Sequence, residues 1–319
     1  MAKITVATFN CENLFRRFKF TNKAKPEKIN NAVENGFIID KTLFETILDP
    51  ERELTAKAIL DCKADIVCLV EVENFDTLKS FVSKFLTGKN YKYNILIDGN
   101  DPRLIDVALI SKIPFDHVVT HQYDRTINNK ALMFSRDCLE VKFTIDGKPF
   151  YVFVNHFKSM LDKNDPANGR KNTAARRKEQ AEAVANILKE RFGSNPGNAS
   201  WIVTGDLNDY PDKDTSLKPL IDNAWIENVV QTRIDEKDSW THFWDTSSKK
   251  VSDDEKYKQI DYILLSKKLA DSNKNAKPVI VRKGLCLNAE KYKGARYDGI
   301  GKSRPAASDH CPVAITLDI

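Results

Sequence analysis

The sequence predicts one α/β domain in which strands gather into packed sheets with helices on the outside. Three observations carry this reading. Helical stripes fall between runs of strand-like sequence instead of forming a block of their own. No Pro- or Ser-rich linker interrupts the chain. Of its 319 residues, 41% are hydrophobic, enough for one large core or two smaller ones.

The elements follow in order. Residues 3–10 alternate as a strand that finishes on Asn10, with Cys11, Glu12 and Asn13 at its end. Phe15-Arg16-Arg17-Phe18-Lys19-Phe20 interleaves basic and aromatic residues. Residues 21–50 are polar and irregular apart from a short helix expected near 42–48, and so long a connection is usually functional or mobile. Leu54, Ala58, Ile59 and Cys62 form a helical stripe, and 65–70 then reads as a buried strand ending in Glu71-Val72-Glu73-Asn74. Phe75, Leu78, Phe81, Val82, Phe85 and Leu86 give an amphipathic helix that Gly88 stops. Short strands are expected over 91–97, 105–111, 117–123, 131–135, 139–145 and 149–155, with Asp146-Gly147 as a hairpin turn between the last two. A helix over 173–192 packs Ala181, Val184, Ile187 and Leu188 on one face. The second half repeats the theme with a strand at 201–205, a helix near 215–222, and strands at 259–265, 278–287 and 312–317.

Composition bounds the function. Twelve Gly and twelve Pro are too few for a fibrous or low-complexity chain. No apolar run approaches the roughly 20 residues that cross a bilayer, so a soluble globular protein without a membrane partner is expected. A monomer is expected as well. No signal peptide is visible before the first strand, and the six Cys include no Cys-x-x-Cys pair. Free thiols and a cytoplasmic location follow as expectations. The net charge of +5 is compatible with a polyanionic partner without establishing one.

Polar clusters sit at the ends of the apolar strands: Asn10, Glu71, Asn155-His156, Asp206 with Asn208, and Asp309-His310. Each alone has an ordinary explanation. Gly205-Asp206-Leu207-Asn208, for example, is a turn-forming composition at a strand end. Their recurrence changes the balance. Glu71, Asp206, Asp309 and the amides of Asn10 and Asn208 are hard oxygen donors, suited to Mg²⁺ or Mn²⁺, with Ca²⁺ as an alternative. Asp261 lies inside the apolar run Ile260-Asp261-Tyr262-Ile263-Leu264-Leu265, where a carboxylate needs a cation or donor beside it. A His is its natural catalytic partner, and His310 and His156 are the candidates. His117, His121 and His242 have no comparable setting and read as structural.

Six segments, in order, carry a resemblance: Thr8-Phe9-Asn10, Val70-Glu71, Val154-Asn155-His156-Phe157-Lys158-Ser159, Gly205-Asp206-Leu207-Asn208, Gln259-Ile260-Asp261-Tyr262 and Ser308-Asp309-His310-Cys311-Pro312-Val313. They resemble the endonuclease/exonuclease/phosphatase superfamily, the deoxyribonuclease I-like fold, over residues 8–313. The resemblance implies a four-layer α/β/β/α sandwich of two packed mixed, largely antiparallel sheets. It also implies metal-dependent phosphoester hydrolysis by in-line attack of water. By position, Asn10, Glu71 and Asp309 correspond to metal-side residues and Asp206 to the group that positions or deprotonates the water, with Asn208 beside it. His310 oriented by Asp261 corresponds to the acid/base or phosphate-stabilising imidazole, and His156 to a second phosphate-contacting one.

Asn-His-Phe-Lys-Ser, segment 101–111 and Gly-Asp-Leu-Asn-Asp-Tyr are most similar to the bacterial extracellular-nuclease-like branch. Basic residues favour nucleic acid, DNA before RNA, as the partner. Arg170, Lys171, Arg176, Arg177 and Lys178 lie at or before the expected helix start, where the backbone also favours anions. Lys291, Lys293, Arg296, Lys302 and Arg304 interleave with Tyr292 and Tyr297 in a loop running into Asp309-His310. Arg103, Asn155 and Lys158 complete the expected phosphate-binding set. A solvated basic face is the competing explanation for the helix. A Mg²⁺-dependent endonuclease acting on DNA, or on RNA, is the expected activity. A phosphomonoesterase or a lipid or inositol phosphodiesterase is the alternative, and a non-catalytic nucleic-acid-binding relative a third.

Overall fold

The structure, a computed structural model, describes residues 2–15, 19–20, 44–45, 49–126, 128–245 and 253–319. Its strands are β1 (Lys3–Leu14), β2 (Lys19–Phe20), β3 (Phe44–Glu45), β4 (Ile66–Val72), β5 (Tyr93–Leu96), β6 (Asp106–Ser111), β7 (His117–Val119), β8 (Cys138–Ile145) and β9 (Lys148–His156). They continue with β10 (Trp201–Asp206), β11 (Ile226–Asn228), β12 (His242–Phe243), β13 (Tyr257–Lys258), β14 (Asp261–Ser266), β15 (Val279–Ile280) and β16 (Val313–Asp318). Among the described residues the three long helices are α1 (Asp49–Asp61), α2 (Phe75–Phe85) and α3 (Gly169–Phe192).

Twelve of the strands form two six-stranded mixed sheets, ordered β15-β16-β1-β4-β6-β5 and β11-β14-β10-β9-β8-β7, and β12-β13 and β2-β3 pair separately. Each sheet is antiparallel except for one central parallel pair, β1 with β4 in the first and β9 with β10 in the second. Parallel neighbours bring the same ends of their strands side by side. The pairing therefore sets Asn10 opposite Val70, one residue from Glu71, and Asp206 opposite His156.

Strand alternation divides each strand between two apolar layers. Val6, Cys68, Val70 and Leu109 of the first sheet meet Val152, Val154, Ile202 and Ile263 of the second in the layer between them. On the outer face of the first sheet, Phe9, Val67 and Leu69 pack with Ile59 of α1 and Phe81 of α2. On the outer face of the second, Phe153, Trp201 and Val203 pack with Val184 and Leu188 of α3. The result is the α/β/β/α layering. At α2, the Asn74 side chain accepts the Thr77 N–H at 2.8 Å and starts the helix where its apolar stripe begins.

Departures are local. The strand expected at 131–135 is reduced to an isolated bridge between Arg125 and Leu132. The strand expected at 278–287 stops at Ile280, because Lys283, Gly284 and Leu287 hydrogen-bond with Tyr297, Ala307 and Gly301 of the following loop. The helix near 215–222 shortens to Lys218–Ile221, and α3 begins at Gly169, earlier than its apolar stripe indicated. Of the helix expected near 42–48, only Phe44–Glu45 is described, and it pairs as a strand with Lys19–Phe20; the remainder lies outside the described residues, as do Arg16, Arg17 and Phe18. All six cysteines are free and buried. No helix among the described residues is long and apolar enough to cross a membrane.

Candidate active site

Backbone irregularities aim the polar groups at the ends of the two parallel pairs. The β1–β4 register shifts beyond Asn10 and the β4–β6 register shifts around Glu71, which takes φ +63°. Such a bulge re-aims a side chain. Here it sets Glu71 Oε2 to accept the Asn13 N–H at 3.0 Å and Oε1 to face Asn10 Nδ2 at 3.4 Å. Across the cleft Asn208 takes φ +54°, a conformation Asn tolerates, and its N–H donates to Asp206 Oδ1 at 2.9 Å.

One oxygen lies at the centre. Asp206 Oδ2 accepts from Asn10 Nδ2 at 3.1 Å and lies 3.6 Å from His156 Nε2 and 3.9 Å from His310 Nε2. His310 Nδ1 stands 2.9 Å from Asp261 Oδ2, which also accepts the Thr241 hydroxyl at 2.7 Å. The embedded carboxylate thus has the histidine partner its burial requires, plus a hydroxyl that holds its orientation.

These environments separate the titrations. Burial works against a charged His310, but Asp261, then Asp309 and Asp206, outweigh it and raise the imidazole to about 10. His156 moves the other way: burial, then the charges of Arg136 and His310, push it well below the ordinary histidine range. Burial also raises Asp206, opposed by His310 and reinforced by Asp261. The two imidazoles flanking one carboxylate therefore differ in charge, one cationic and one neutral.

The donor chemistry fits a hard divalent cation. Burial raises Glu71, and Asp309 adds to that rise against the opposing charge of His310. A cation at the carboxylate cluster relieves such a rise, and oxygen donors suit Mg²⁺. Glu71 and Asp309 are the residues that would hold it. Asn10 departs from the simple ligand expectation. Its Oδ1 accepts the Glu12 N–H at 2.9 Å, and its Nδ2 donates to both carboxylates, so it bridges Asp206 and Glu71 as a donor.

The expected phosphate-binding set separates into two groups. Asn155 does not reach the cleft: strand alternation turns it to the face opposite His156, fully buried, with its Nδ2 on the Phe153 carbonyl at 3.3 Å. Arg170, Arg176, Arg177 and Arg296 are also committed elsewhere. Arg170 pairs with Asp209 at 2.6 Å and with Asp212 through both terminal nitrogens at 2.8 Å. Fully buried Arg177 holds Asp209, Ser216 and the Arg170 carbonyl. Arg176 donates to the Leu132 and Met133 carbonyls, and Arg296 to carbonyls of its own loop. A guanidinium saturated in this way has few donors left for phosphate. Lys158 also bonds locally, to the Ser159 and Leu161 carbonyls. Arg103 pairs with Asp101 at 2.9 Å with its side chain 56% exposed, while Arg304 meets Glu12 beside the cleft.

Two expected results follow for the Asp209 tether. Arg177→Ala should destabilise the fold by about 2–3 kcal/mol, because it leaves a buried carboxylate short of donors, and chemical denaturation reads this directly. Burial raises Asp209, but Ser216 and Arg170 outweigh it and hold the group below its ordinary range. The stability it contributes is therefore present above about pH 4 and lost as pH falls through the lower folded value. Arg170→Ala should accordingly move the acid-unfolding midpoint upward.

Four neighbours of the site had no distinctive signal in the sequence. His242, expected to be structural, stands against His310 with ring centroids 4.6 Å apart, and its Nε2 is 3.5 Å from Asp309 Oδ2. Glu12 accepts the Asp309 N–H at 2.8 Å. Thr241 holds Asp261, and buried Arg136 pairs with Asp101 at 3.1 Å while its charge acts on His156. The β12 hairpin and the loop before β16 bring His242 in from a distance, so its neighbours in sequence were uninformative. Trp244, 50% exposed, follows it two residues on.

Two packed six-stranded sheets with helices outside make an α/β fold shared by endonucleases, exonucleases and phosphatases of one family. The chain belongs to the Endonuclease/Exonuclease/phosphatase family, whose sequence profile matches residues 5–318. Family enzymes are generally dependent on divalent metal. Among solved structures it is similar to truncated Caenorhabditis elegans TDP2, at 15% identity and TM-score 0.60, covering 99% of this chain and 98% of that one. It is similar to the human Nocturnin catalytic domain with bound sulfate anion, at 16% identity and TM-score 0.59, over 99% and 94% of the two chains. D. rerio TDP2 complexed with single strand DNA product matches at 18% identity and TM-score 0.57 over 100% of both. Comparison with curated protein sequences returns no match.

Proposed function

We propose that the protein is a Mg²⁺-dependent nuclease that hydrolyses phosphodiester bonds in DNA, with RNA as the second nucleic-acid substrate. The observation that carries this reading is Asp206 Oδ2, held by Asn10 between a neutral His156 and a cationic His310 that Asp261 orients. Phosphoryl transfer needs an aligned nucleophile and neutralised phosphoryl oxygens more than covalent chemistry.

Asp206 aligns the attacking water and takes its proton, while the Asn10 amide and the Asn208 N–H fix the carboxylate. His310 donates from Nε2 to a phosphoryl oxygen, with Nδ1 anchored on Asp261. His156 contacts the phosphate as a neutral hydrogen-bonding group. Glu71 and Asp309 would hold Mg²⁺, which when bound would supply charge neutralisation at the phosphoryl group. Nucleic acid is the substrate most in keeping with the basic balance of the chain and with the single-strand DNA product seen in a structural relative.

The test is cleavage of single- and double-stranded DNA and of RNA in Mg²⁺, with EDTA as control and with inositol phosphates and sphingomyelin as competing substrates. Cleavage of DNA that EDTA abolishes is the expected result. Turnover confined to the inositol phosphates or sphingomyelin refutes the nuclease reading and keeps the fold's chemistry. DNA affinity should also fall as salt rises, which a filter-binding series checks.

A further inference from the structure

We infer that His242, Asp309 and His310 form a second cation site, distinct from the oxygen site at Glu71 and selective for nitrogen-preferring transition metals such as Zn²⁺ or Co²⁺. The site shares two residues with the proposed function, Asp309 and His310, and adds His242 to them. One donor atom from each of the three residues lies within 4.8 Å of the others, and no other such His/Cys/Asp/Glu group occurs among the described residues.

The separations are near those of a coordinated ion. Ligand atoms about 2.1 Å from a tetrahedral Zn²⁺ lie about 3.4 Å apart. His242 Nε2 is 3.5 Å from Asp309 Oδ2, and His310 Nε2 is 3.8 Å from Asp309 Oδ1. Small rotations of half-buried Asp309 close the remaining gap.

The backbone holds the ligands side by side before any ion arrives. His242 and His310 form an antiparallel bridge. The Phe243 N–H donates to the Asp309 carbonyl at 2.9 Å and the Cys311 N–H to the Thr241 carbonyl at 2.6 Å. Beneath them Phe243, Tyr257 and Cys311 pack in one apolar cluster, so the pairing rests on a buried support.

His310 also has the outer contact of a metal-ligating imidazole. Its Nδ1 lies on the Asp261 carboxylate at 2.9 Å, which leaves Nε2 as the free donor and fixes the ring. Thr241 in turn fixes Asp261. Two imidazoles and one carboxylate are a softer set than Glu71 with its oxygen neighbours, and imidazole favours Zn²⁺ and its neighbours over Mg²⁺. Nε2 of His310 thus holds either a proton or an ion. Three protein ligands leave a fourth position open to water or a phosphoryl oxygen.

Co²⁺ is the probe. Added to the EDTA-stripped full chain, it should develop the visible absorption of a nitrogen-ligated ion. Zn²⁺ should displace it and excess Mg²⁺ should not. His242→Gln, which keeps a hydrogen bond toward Asp309 but removes a nitrogen ligand, should weaken Co²⁺ binding at least tenfold, while Glu71→Gln retains it. Equal thermal unfolding of wild type and His242→Gln in EDTA excludes misfolding as the cause. Absence of the band from wild type, or its persistence in His242→Gln with loss in Glu71→Gln, overturns the second site. The readout is independent of hydrolysis, so a protein that cleaves no DNA yet shows the band refutes the proposed nuclease activity and leaves this site standing.

Discussion

Replacing Asp206 by Asn is expected to lower Mg²⁺-supported cleavage by about 10²- to 10⁴-fold, the range that one positioned proton acceptor contributes. The substitution keeps the shape and removes the ability to take a proton. The Asn208 N–H and the Asn10 amide bond different oxygens of Asp206, so the single carbonyl of an amide keeps only one of them as a partner, and the thermal melt is what separates lost proton transfer from a disturbed site. Stability should move the other way or stay level. Burial and the neighbouring Asp261 and Glu71 charges penalise ionised Asp206, and a neutral amide escapes that penalty. A thermal melt at or above wild type together with the rate loss is the expected pair. Wild-type turnover in Asp206→Asn refutes the assignment of this carboxylate, and an equal loss of stability makes its role structural.

Gly205→Ala should be the most damaging single methyl in the chain, costing at least about 4 kcal/mol or preventing folding. A Cβ at this position would lie 1.8 Å from the Asn155 carbonyl oxygen, which belongs to the neighbouring β9 backbone and cannot rotate away. The residue also takes φ +131°, which a side-chain-bearing residue resists. Both penalties fall one residue before Asp206, and the clash also bears on the strand that carries His156. Partial relief by strand separation would therefore be paid for in lost activity as well as stability. Urea denaturation checks the magnitude, and a loss below about 1 kcal/mol means β9 and β10 can part more easily than their register implies.

Much of the fold was legible because its core strands are apolar on both faces. Residues 65–70, 149–155 and 201–205 read as strands without ambiguity, and the stripes of α1 to α3 have helical spacing. The irregular connections were less legible. Alternation at 278–287 is genuine, yet the chain leaves the sheet at Ile280, since the loop at 297–307 supplies hydrogen-bond partners that local pattern does not encode. The basic residues failed for a related reason. A run of arginines looks the same whether it faces phosphate or a buried Asp209, and only the packing of α3 against the loop after β10 distinguishes the two.

The sequence by itself determined the family, the layering and the identity of the groups at the strand ends, because strand termini, glycine turns and embedded carboxylates are local features. Tertiary structure decided which of those groups meet. Parallel pairing put Asn10 beside Glu71 and His156 beside Asp206, and sheet-on-sheet packing closed the two pairs on one oxygen. It turned Asn155 to the far face, spent four arginines on internal contacts and brought His242 to His310. These outcomes depend on distances between segments remote in sequence, and only the packed chain sets such distances.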